Sequence, residues 1–249
     1  MYAIIQHNSK EFKIDLSKPL DISIPISASK SNVNAWYLDN PKIEPVKLED
    51  WVGSVKFGAP VNFNNIWFNP HSHGTHTECI GHITREFHSL NKNLKQFFFT
   101  AEVISVAGEK YMKDTVISKK QLELLLKENT PEALVIRTMP NTKDKKKRQY
   151  SNTNWTYITE EAMVFIREKG IKNLLIDLPS VDREHDDGKL LAHKAFWDFD
   201  GNQRLDCTIT EFIYVPNKVK DGSYLLNLQI APFENDATPS KPILYKVLE

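Results

Sequence analysis

Two short, uninterrupted apolar runs constrain the fold of this chain more than any other feature. Leu-Val-Ile at 134–136 and Leu-Leu-Ile at 174–176 lack the polar alternation of a half-exposed strand. Such runs are typical of strands that are covered on both faces. Between them, the stretch from Thr159 to Gly170 has the apolar spacing, the N-cap and the C-cap of a helix. The order strand, helix, strand predicts an α/β unit.

Further elements indicate a mixed fold. Ser118 and Gln121 form a capping-box pattern before a helix that runs through Leu126, and Pro131 disfavours its continuation. Strands are predicted at 100–106, 133–137, 173–178, 207–215, 224–230 and 243–248. We therefore predict a mixed α/β or α+β fold class. Because 249 residues lie within the range of one domain, we expect residues 1–249 to form a single domain.

Composition excludes several classes of function. The chain has 32 basic and 32 acidic residues, so it has no net charge to attract nucleic acid or an acidic membrane. The basic run at 143–148 is too small for a nucleic-acid-binding face, and we expect a solvated loop there. No apolar run is long enough to span a bilayer, and the first residues lack the pattern of a secretory signal. These observations predict a cytoplasmic protein, in which Cys79 and Cys207 are free thiols used mainly for packing.

A histidine cluster is the strongest indication of function. Four of the eight histidines fall between residues 71 and 82. Clustered imidazoles repel one another when they are protonated, and a bound cation removes that cost. In an extended segment His76 and Glu78 share a face, and Gly74 would let the chain turn so that His71 or His73 reaches the same point. Imidazole and carboxylate together suit zinc or another divalent first-row ion, and a hydrogen-bonded cluster without metal is the alternative.

This segment resembles the signature of the metal-dependent cyclase family, which includes bacterial kynurenine formamidase and isatin hydrolase. The family signature reads His-x-Gly-Thr-His-x-Asp-x-Pro-x-His, and here Gly-Thr-His at 74–76 and His82 fall in register. The resemblance implies that His76 is a metal ligand and that His82 is the catalytic acid/base. The first ligand position holds Ser72, flanked by His71 and His73, and we favour His71 as its substitute. Glu78 replaces the Asp, and Ile80 replaces the Pro.

The second half of the chain agrees with the resemblance. A strand and turn at 175–182 precede His193, and Glu211 lies on a later strand, which makes both residues candidate metal ligands. Glu211 interrupts an apolar strand, where an unpaired carboxylate is costly, and it is also a candidate catalytic residue. The alternative is an outward-facing Glu211 on an edge strand. The segments at 14–17 and 236–240 also resemble family landmarks, whereas the segment at 141–154 does not.

The resemblance implies a swivelling β/β/α-type fold, with a mixed sheet and flanking helices, and a homo-oligomer, either a dimer or a tetramer. It also implies a metal-dependent hydrolase of an amide or cyclic amide, similar to kynurenine formamidase, with a metal-activated water. The expected metal is Zn²⁺, or alternatively Mn²⁺, and the expected partner is a small amide, cyclic amide or lactone. The departures at positions 72, 78 and 80 leave open a protein that keeps the metal only to bind a carboxylate ligand. A structural module with incidental histidines is the other alternative.

Five aromatic residues precede the histidines, and their role is open between the wall of a substrate pocket and ordinary core packing: Trp51, Phe57, Phe63, Trp67 and Phe68.

Overall fold

The computed structural model describes residues 1–7 and 10–248. Its strands are β1 (Tyr2–His7), β2 (Lys10–Asp15), β3 (Leu20–Asp21), β4 (Lys42–Pro45), β5 (Lys47–Leu48), β6 (Trp51–Val52), β7 (Asn64–Trp67), β8 (His76–Glu78), β9 (Phe98–Ala107), β10 (Glu109–Tyr111), β11 (Asp114–Ile117), β12 (Ala133–Met139), β13 (Tyr157–Ile158), β14 (Asn173–Ile176), β15 (Thr208–Glu211), β16 (Gly222–Ile230) and β17 (Ala237–Leu248). Its α-helices are α1 (Pro70–His73), α2 (Leu90–Asn93), α3 (Lys119–Leu126), α4 (Glu160–Glu168) and α5 (Leu191–Trp197). Short 3₁₀ turns cover Val55–Phe57, Ile80–His82 and Lys143–Lys147.

Seven strands close into a barrel-like sheet. Their order is β17-β16-β9-β12-β14-β15-β8, and β8 pairs back with β17. Strands β9, β12, β14 and β15 run parallel to one another, whereas the pairings of β16, β17 and β8 are antiparallel. Helices α3, α4 and α5 pack against one face of this sheet. The predicted mixed α/β class, with a mixed sheet and flanking helices, is confirmed.

The two apolar runs lie on the central strands β12 and β14, and all six of their side chains are fully buried. Alternation divides them between two cores. Leu134 and Ile136 pack with residues of α3, α4 and α5, whereas Val135 and Leu175 pack on the opposite face with residues of β16 and β17. Both faces of these strands are therefore covered, as the absence of polar alternation predicts.

The two predicted helices are present. In α3, the backbone N–H of Ser118 donates to Gln121 Oε1 at 3.1 Å, which is one half of the expected capping box. In α4, the backbone N–H of Ala162 donates to Thr159 Oγ1 at 3.3 Å. Helix α4 ends at Glu168, and Gly170 adopts a left-handed φ of 77° just beyond it.

All six predicted strands exist, and the bounds of two of them differ from the prediction by more than two residues. Strand β15 ends at Glu211 instead of 215, because Phe212 adopts a φ of 54°, which is incompatible with a strand. Strand β17 begins at Ala237 instead of 243, and the first three of its added residues pair with β8. Helix α5 was not predicted, because seven residues are too few for a clear helical periodicity.

The basic run at 143–148 is not wholly solvated, so the expectation of a solvated loop is wrong for one residue. Lys145 is 4% exposed, and its Nζ donates to Asp177 Oδ2 at 2.7 Å and to the Thr138 carbonyl at 2.6 Å. Burial raises the pKa of Asp177 and lowers the pKa of Lys145. This buried ion pair attaches the segment at 141–154 to the ends of β12 and β14.

Within the described part of the chain, no helix has the length and apolar character needed to cross a bilayer.

Candidate metal centre

Strand β8 supplies two neighbouring side chains of the centre. It lies between β15 and β17, with His76 opposite Glu211 and with Glu78 opposite Ile209 and Ala237. As alternation requires, His76 and Glu78 point to one face, and Thr77 points to the other, where its hydroxyl lies 2.8 Å from that of Thr210. His76 and Glu78 are fully buried.

The Gly-Thr segment before His76 fixes the start of β8. Gly74 has an extended backbone, with φ 163°, and does not make the turn that we expected from it. Glycine is needed here because the backbone passes close to Ile24 and Ile26. A Cβ at this position would lie 2.9 Å from Ile26 Cγ1 and 3.0 Å from the Ile24 carbonyl oxygen. The Thr75 hydroxyl accepts the backbone N–H of Ile24 at 2.6 Å and donates to the carbonyl of Phe212. The segment is thereby joined to two distant parts of the chain.

The single helical turn of α1 determines which histidine reaches the centre. His71 points inward, with Nδ1 3.0 Å from Glu78 Oε2. His73 points away, where its Nδ1 accepts the N–H of Asn69 at 2.8 Å and its Nε2 lies 2.8 Å from the Asp39 carbonyl. Ser72 is buried elsewhere, with Oγ 2.6 Å from the Ala35 carbonyl. Of the three candidates for the first ligand position, the structure brings only His71 to the cluster.

Glu78 lies at the middle of the cluster. Its Oε2 faces His71 Nδ1 at 3.0 Å, His76 Nε2 at 4.0 Å and His82 Nε2 at 4.0 Å. Its Oε1 lies 3.1 Å from His193 Nε2. Four imidazoles, from four different elements of the chain, therefore surround one buried carboxylate.

Glu211 completes the same cluster from β15. It is 3% exposed, so it is not the outward-facing residue of an edge strand. Its Oε1 accepts the N–H of Val181 at 2.9 Å, and its Oε2 lies 3.4 Å from His76 Nε2. The distance from Glu211 Oε1 to His193 Nε2 is 3.9 Å.

The donor atoms are suited to a divalent ion. His76 Nε2 is buried and lacks a hydrogen-bond partner among the described residues. Glu78 Oε2 is also buried, and its 3.0 Å contact with His71 Nδ1 is not aligned as a hydrogen bond. Three sets of donor atoms lie within 4.8 Å of one another: His71, His76 and Glu78; Glu78, His82 and His193; His71, His82 and Asp236. Buried, unpartnered imidazole and carboxylate atoms are costly unless they are paired with a cation. Nitrogen and oxygen donors of this kind fit zinc and other first-row divalent ions.

Electrostatics show how the carboxylates and imidazoles balance. Burial raises the pKa of Glu78, but the charge of His82 and the contacts of His193 and His71 outweigh this and hold it well below its usual range. Burial lowers the pKa of His71, but Asp236 and Glu78 raise it to about 10. A metal ion bound here would therefore have to displace protons from the same nitrogen atoms.

Two carboxylates behind the cluster were not assigned a role from the sequence. Asp182 Oδ2 lies 2.6 Å from His193 Nδ1, and its carboxylate also accepts the N–H groups of Ala192 and His193 at the start of α5. Asp236 Oδ2 lies 3.0 Å from His71 Nε2. Both belong to segments that resemble family landmarks. A metal-binding histidine generally needs a hydrogen-bond acceptor for its second nitrogen, and this requirement could have identified both carboxylates from the sequence.

A cleft of about 290 Å³ opens onto the cluster. His82 is 31% exposed there, whereas His76 is fully buried. The apolar wall of the cleft includes Trp36 and Leu190, which the sequence did not identify. Both have left-handed backbones, with φ values of 62° and 50° respectively, a strained conformation for such side chains.

The aromatic residues at 51–68 do not line this cleft. Trp67 and Phe68 border a separate cleft of about 420 Å³, which also contains His73. Phe57, Phe63 and Trp67 are between 51% and 67% exposed, so they are not part of a core either.

The two cysteines take no visible part in the centre. Both are buried, and burial raises the pKa of Cys79 to about 11 and that of Cys207 to about 12. Their thiolates are therefore disfavoured at neutral pH.

Comparisons with known proteins show what this chain is similar to. The Cyclase family model, described as "Putative cyclase", matches residues 14–183, which is more than half of the chain and ends before His193 and Glu211. Kynurenine formamidase of Bacillus cereus is 26% identical over 230 residues, which cover 92% of this chain and 97% of that protein. Kynurenine formamidase of Bacillus mycoides is similar to the same extent.

Solved structures share the fold. Isatin hydrolase A from Labrenzia aggregata superposes with a TM-score of 0.69 at 13% identity, covering 93% of this chain and 94% of that one. A structure described as a potential metal-dependent hydrolase with cyclase activity gives a TM-score of 0.66 at 16% identity, covering 93% and 99%.

Proposed function

This chain belongs to the Cyclase family, and from that premise we propose that it is a metal-dependent hydrolase of an amide or cyclic amide. The observation that carries the proposal is the convergence of His71, His76, His193 and Glu211 around the buried carboxylate of Glu78. Hydrolysis of an arylformamide is the first activity to test, because the 26% identical relatives are kynurenine formamidases.

The proposed ligands are those that the sequence predicted: His71, His76, Glu78, His193 and Glu211. Zn²⁺ is the first candidate ion and Mn²⁺ the second, since both accept imidazole and carboxylate donors. When bound, such an ion supplies Lewis-acid chemistry, because it lowers the pKa of a coordinated water and stabilises negative charge on a carbonyl oxygen.

His82 is the proposed acid/base. It is the most exposed histidine of the cluster, and its Nε2 lies 4.0 Å from Glu78 Oε2, at the edge of the cleft. In this role Nε2 accepts a proton from the attacking water and then donates it to the leaving amine, which departs poorly unless it is protonated. Proton transfer of this kind contributes roughly 10²–10⁴-fold to a rate.

Glu211 is proposed to support that reaction through a carboxylate that is held in a fixed orientation next to His76. Because its Oε1 accepts the N–H of Val181 at 2.9 Å, the carboxylate is held with Oε2 toward His76. Glu211 is therefore a candidate metal ligand. It lies on β15, directly opposite His76 on β8.

The cleft favours a small, flat substrate. Trp36 forms part of its wall, and its indole N–H donates to the His71 carbonyl at 3.2 Å, which holds the ring beside the proposed ligands. Asn69 also lines the cleft, and its Oδ1 is buried without a hydrogen-bond partner among the described residues. An apolar wall with one polar anchor is typical of a small-molecule site.

The test combines metal analysis with turnover. We expect stoichiometric zinc or manganese in the purified protein, and hydrolysis of N-formylkynurenine or isatin that chelation abolishes and added metal restores. His82→Ala should keep the metal and lose most of the turnover, whereas Glu78→Ala should lose both. The matched control is His185→Ala, a histidine outside the cluster, which should change neither.

Turnover that persists without metal would contradict the proposal. Tight metal binding without hydrolysis of any amide, imide or lactone would instead support the alternative of a carboxylate-binding protein. That alternative is motivated by the departures from the family signature at Ser72, Glu78 and Ile80.

We also propose that the chain forms a homo-oligomer through the segment at 43–67. Eight large apolar side chains of this segment are exposed: Ile43, Leu48, Val55, Phe57, Val61, Phe63, Ile66 and Trp67. So many large apolar side chains exposed on one segment are typical of an interface. Light scattering should show a dimer or tetramer that the double substitution Phe57→Ser and Ile66→Ser dissociates, whereas Leu124→Ser, at an exposed position on α3, should not. A wild-type monomer would contradict this.

A further inference from the structure

The rings of His71 and His82 are stacked between two carboxylates. Their centroids are 4.2 Å apart and their planes differ by 28°. On the inner side, His71 Nδ1 and His82 Nε2 face Glu78 Oε2 at 3.0 and 4.0 Å. On the outer side, His71 Nε2 and His82 Nδ1 face Asp236 Oδ2 at 3.0 and 3.5 Å. One oxygen atom of Asp236 therefore serves both rings.

We propose that Asp236 is a positioning residue that sets the tautomer and orientation of both His71 and His82. This inference rests on the proposed function, since it assigns His71 as a ligand and His82 as the acid/base. A carboxylate accepts hydrogen bonds, so each outer nitrogen carries the proton and donates it to Asp236. Each inner nitrogen then presents its lone pair to the centre, because a neutral imidazole has only one N–H.

The backbone holds Asp236 in place for this role. The N–H of Cys79 donates to the Asp236 carbonyl at 3.0 Å, and the next residue, Ala237, lies opposite Glu78 in the pairing of β17 with β8. The two carboxylates on either side of the rings are thus fixed to each other by adjacent strands. Asp182 has the equivalent contact with His193, at 2.6 Å.

Asp236 also accounts for how His71 could replace the first ligand of the signature, where this chain has Ser72. His71 comes from a neighbouring position on the short turn of α1, and its ring needs a partner that holds the inner nitrogen toward Glu78. Carboxylates of this kind generally change metal affinity about 10–100-fold when they are removed.

The experiment measures metal affinity and ring tautomer, independently of turnover. Zinc affinity is determined by competition with a chromophoric chelator for wild type, Asp236→Ala and Asp236→Asn. We expect a loss of about 10–100-fold in Asp236→Ala and a smaller loss in Asp236→Asn, which keeps an acceptor oxygen without its charge. The control is Glu234→Gln, an exposed carboxylate two residues away that pairs with Lys92 at 3.2 Å, and it should leave the affinity unchanged.

Nitrogen-15 NMR of the zinc-loaded protein reports the tautomer of His82. We expect Nδ1–H in wild type and in Glu234→Gln, and a shift toward Nε2–H in Asp236→Ala. Where activity is present, kcat should fall more than KM changes, since His82 acts in the chemical step.

Three outcomes separate the possibilities. Wild-type protein that binds no metal defeats the proposed function. Wild type that binds zinc, with the same affinity and the same His82 tautomer in Asp236→Ala, overturns this inference alone. The loss of one whole equivalent of metal from a wild type that binds two also overturns it, because Asp236 would then be a ligand. If Asp236→Ala does not fold, Asp236→Asn carries the same comparison.

Discussion

Replacing Asp182 by Asn tests whether a charged acceptor behind His193 is needed to bind metal. The Asp182 carboxylate accepts three N–H groups, from the His193 ring at 2.6 Å and from the backbone of Ala192 and His193 at 2.8 and 3.2 Å. An amide of the same shape has one acceptor oxygen and one NH₂ group. At least one of the three donors therefore loses its acceptor.

Two magnitudes follow from this geometry. A buried donor without an acceptor costs about 1–3 kcal/mol, so the metal-free variant should be less stable by that amount. If the new NH₂ faces the ring, it donates to His193 Nδ1 and moves the ring proton to Nε2, the atom that faces Glu78 at 3.1 Å. Zinc affinity should then fall about 10–100-fold, which corresponds to about 1.4–2.7 kcal/mol.

Urea unfolding of the metal-free protein and chelator competition measure the two effects separately. The control is Asp206→Asn, which removes an exposed ion pair with Lys172 and should change the unfolding free energy by less than about 0.5 kcal/mol. Unchanged zinc affinity in Asp182→Asn, with stability reduced as expected, would refute the role of Asp182 in holding the His193 ring.

Three further predictions concern stability. The pKa of His71 is raised from 6.5 to about 10, so the protonated ring stabilises the metal-free protein fully below pH 6.5, and this stabilisation is lost as the pH rises through 10. Urea unfolding measured against pH should show this loss, and the His71→Gln variant should not show it. Gly74→Ala should destabilise by about 1–3 kcal/mol in thermal or urea unfolding, because the added Cβ would lie 2.9 Å from Ile26 Cγ1, and equal stability would mean that β8 moves freely. Lys145→Met should lower the free energy of unfolding by about 3–5 kcal/mol, because it leaves the buried Asp177 without its charged partner. The double variant Lys145→Met, Asp177→Leu should recover much of that stability.

The features that could be predicted from the sequence depend on local periodicity. The central strands β12 and β14 follow from uninterrupted apolar runs, and helices α3 and α4 follow from their spacing and caps. The shared face of His76 and Glu78 follows from the two-residue period of a strand. These properties involve residues a few positions apart, so the order of residue types along the chain is enough to specify them.

Distant parts of the candidate site were predicted differently, through resemblance to a family. His193 and Glu211 are 115 and 133 residues beyond Glu78, and no local pattern relates them to it. The structure brings both to the cluster, while their roles as ligands stay a prediction.

Only the tertiary structure decided between His71 and His73, because the choice depends on which ring the turn of α1 directs inward. It also decided that β15 stops at Glu211, that Lys145 is buried, and that Asp182 and Asp236 lie behind the histidines. Each of these contacts joins residues from separate segments, and their closeness follows from how the strands are ordered in the barrel. A sequence states which side chains are present and which way neighbouring ones point, whereas the closing of β8 onto β17 determines which charges meet.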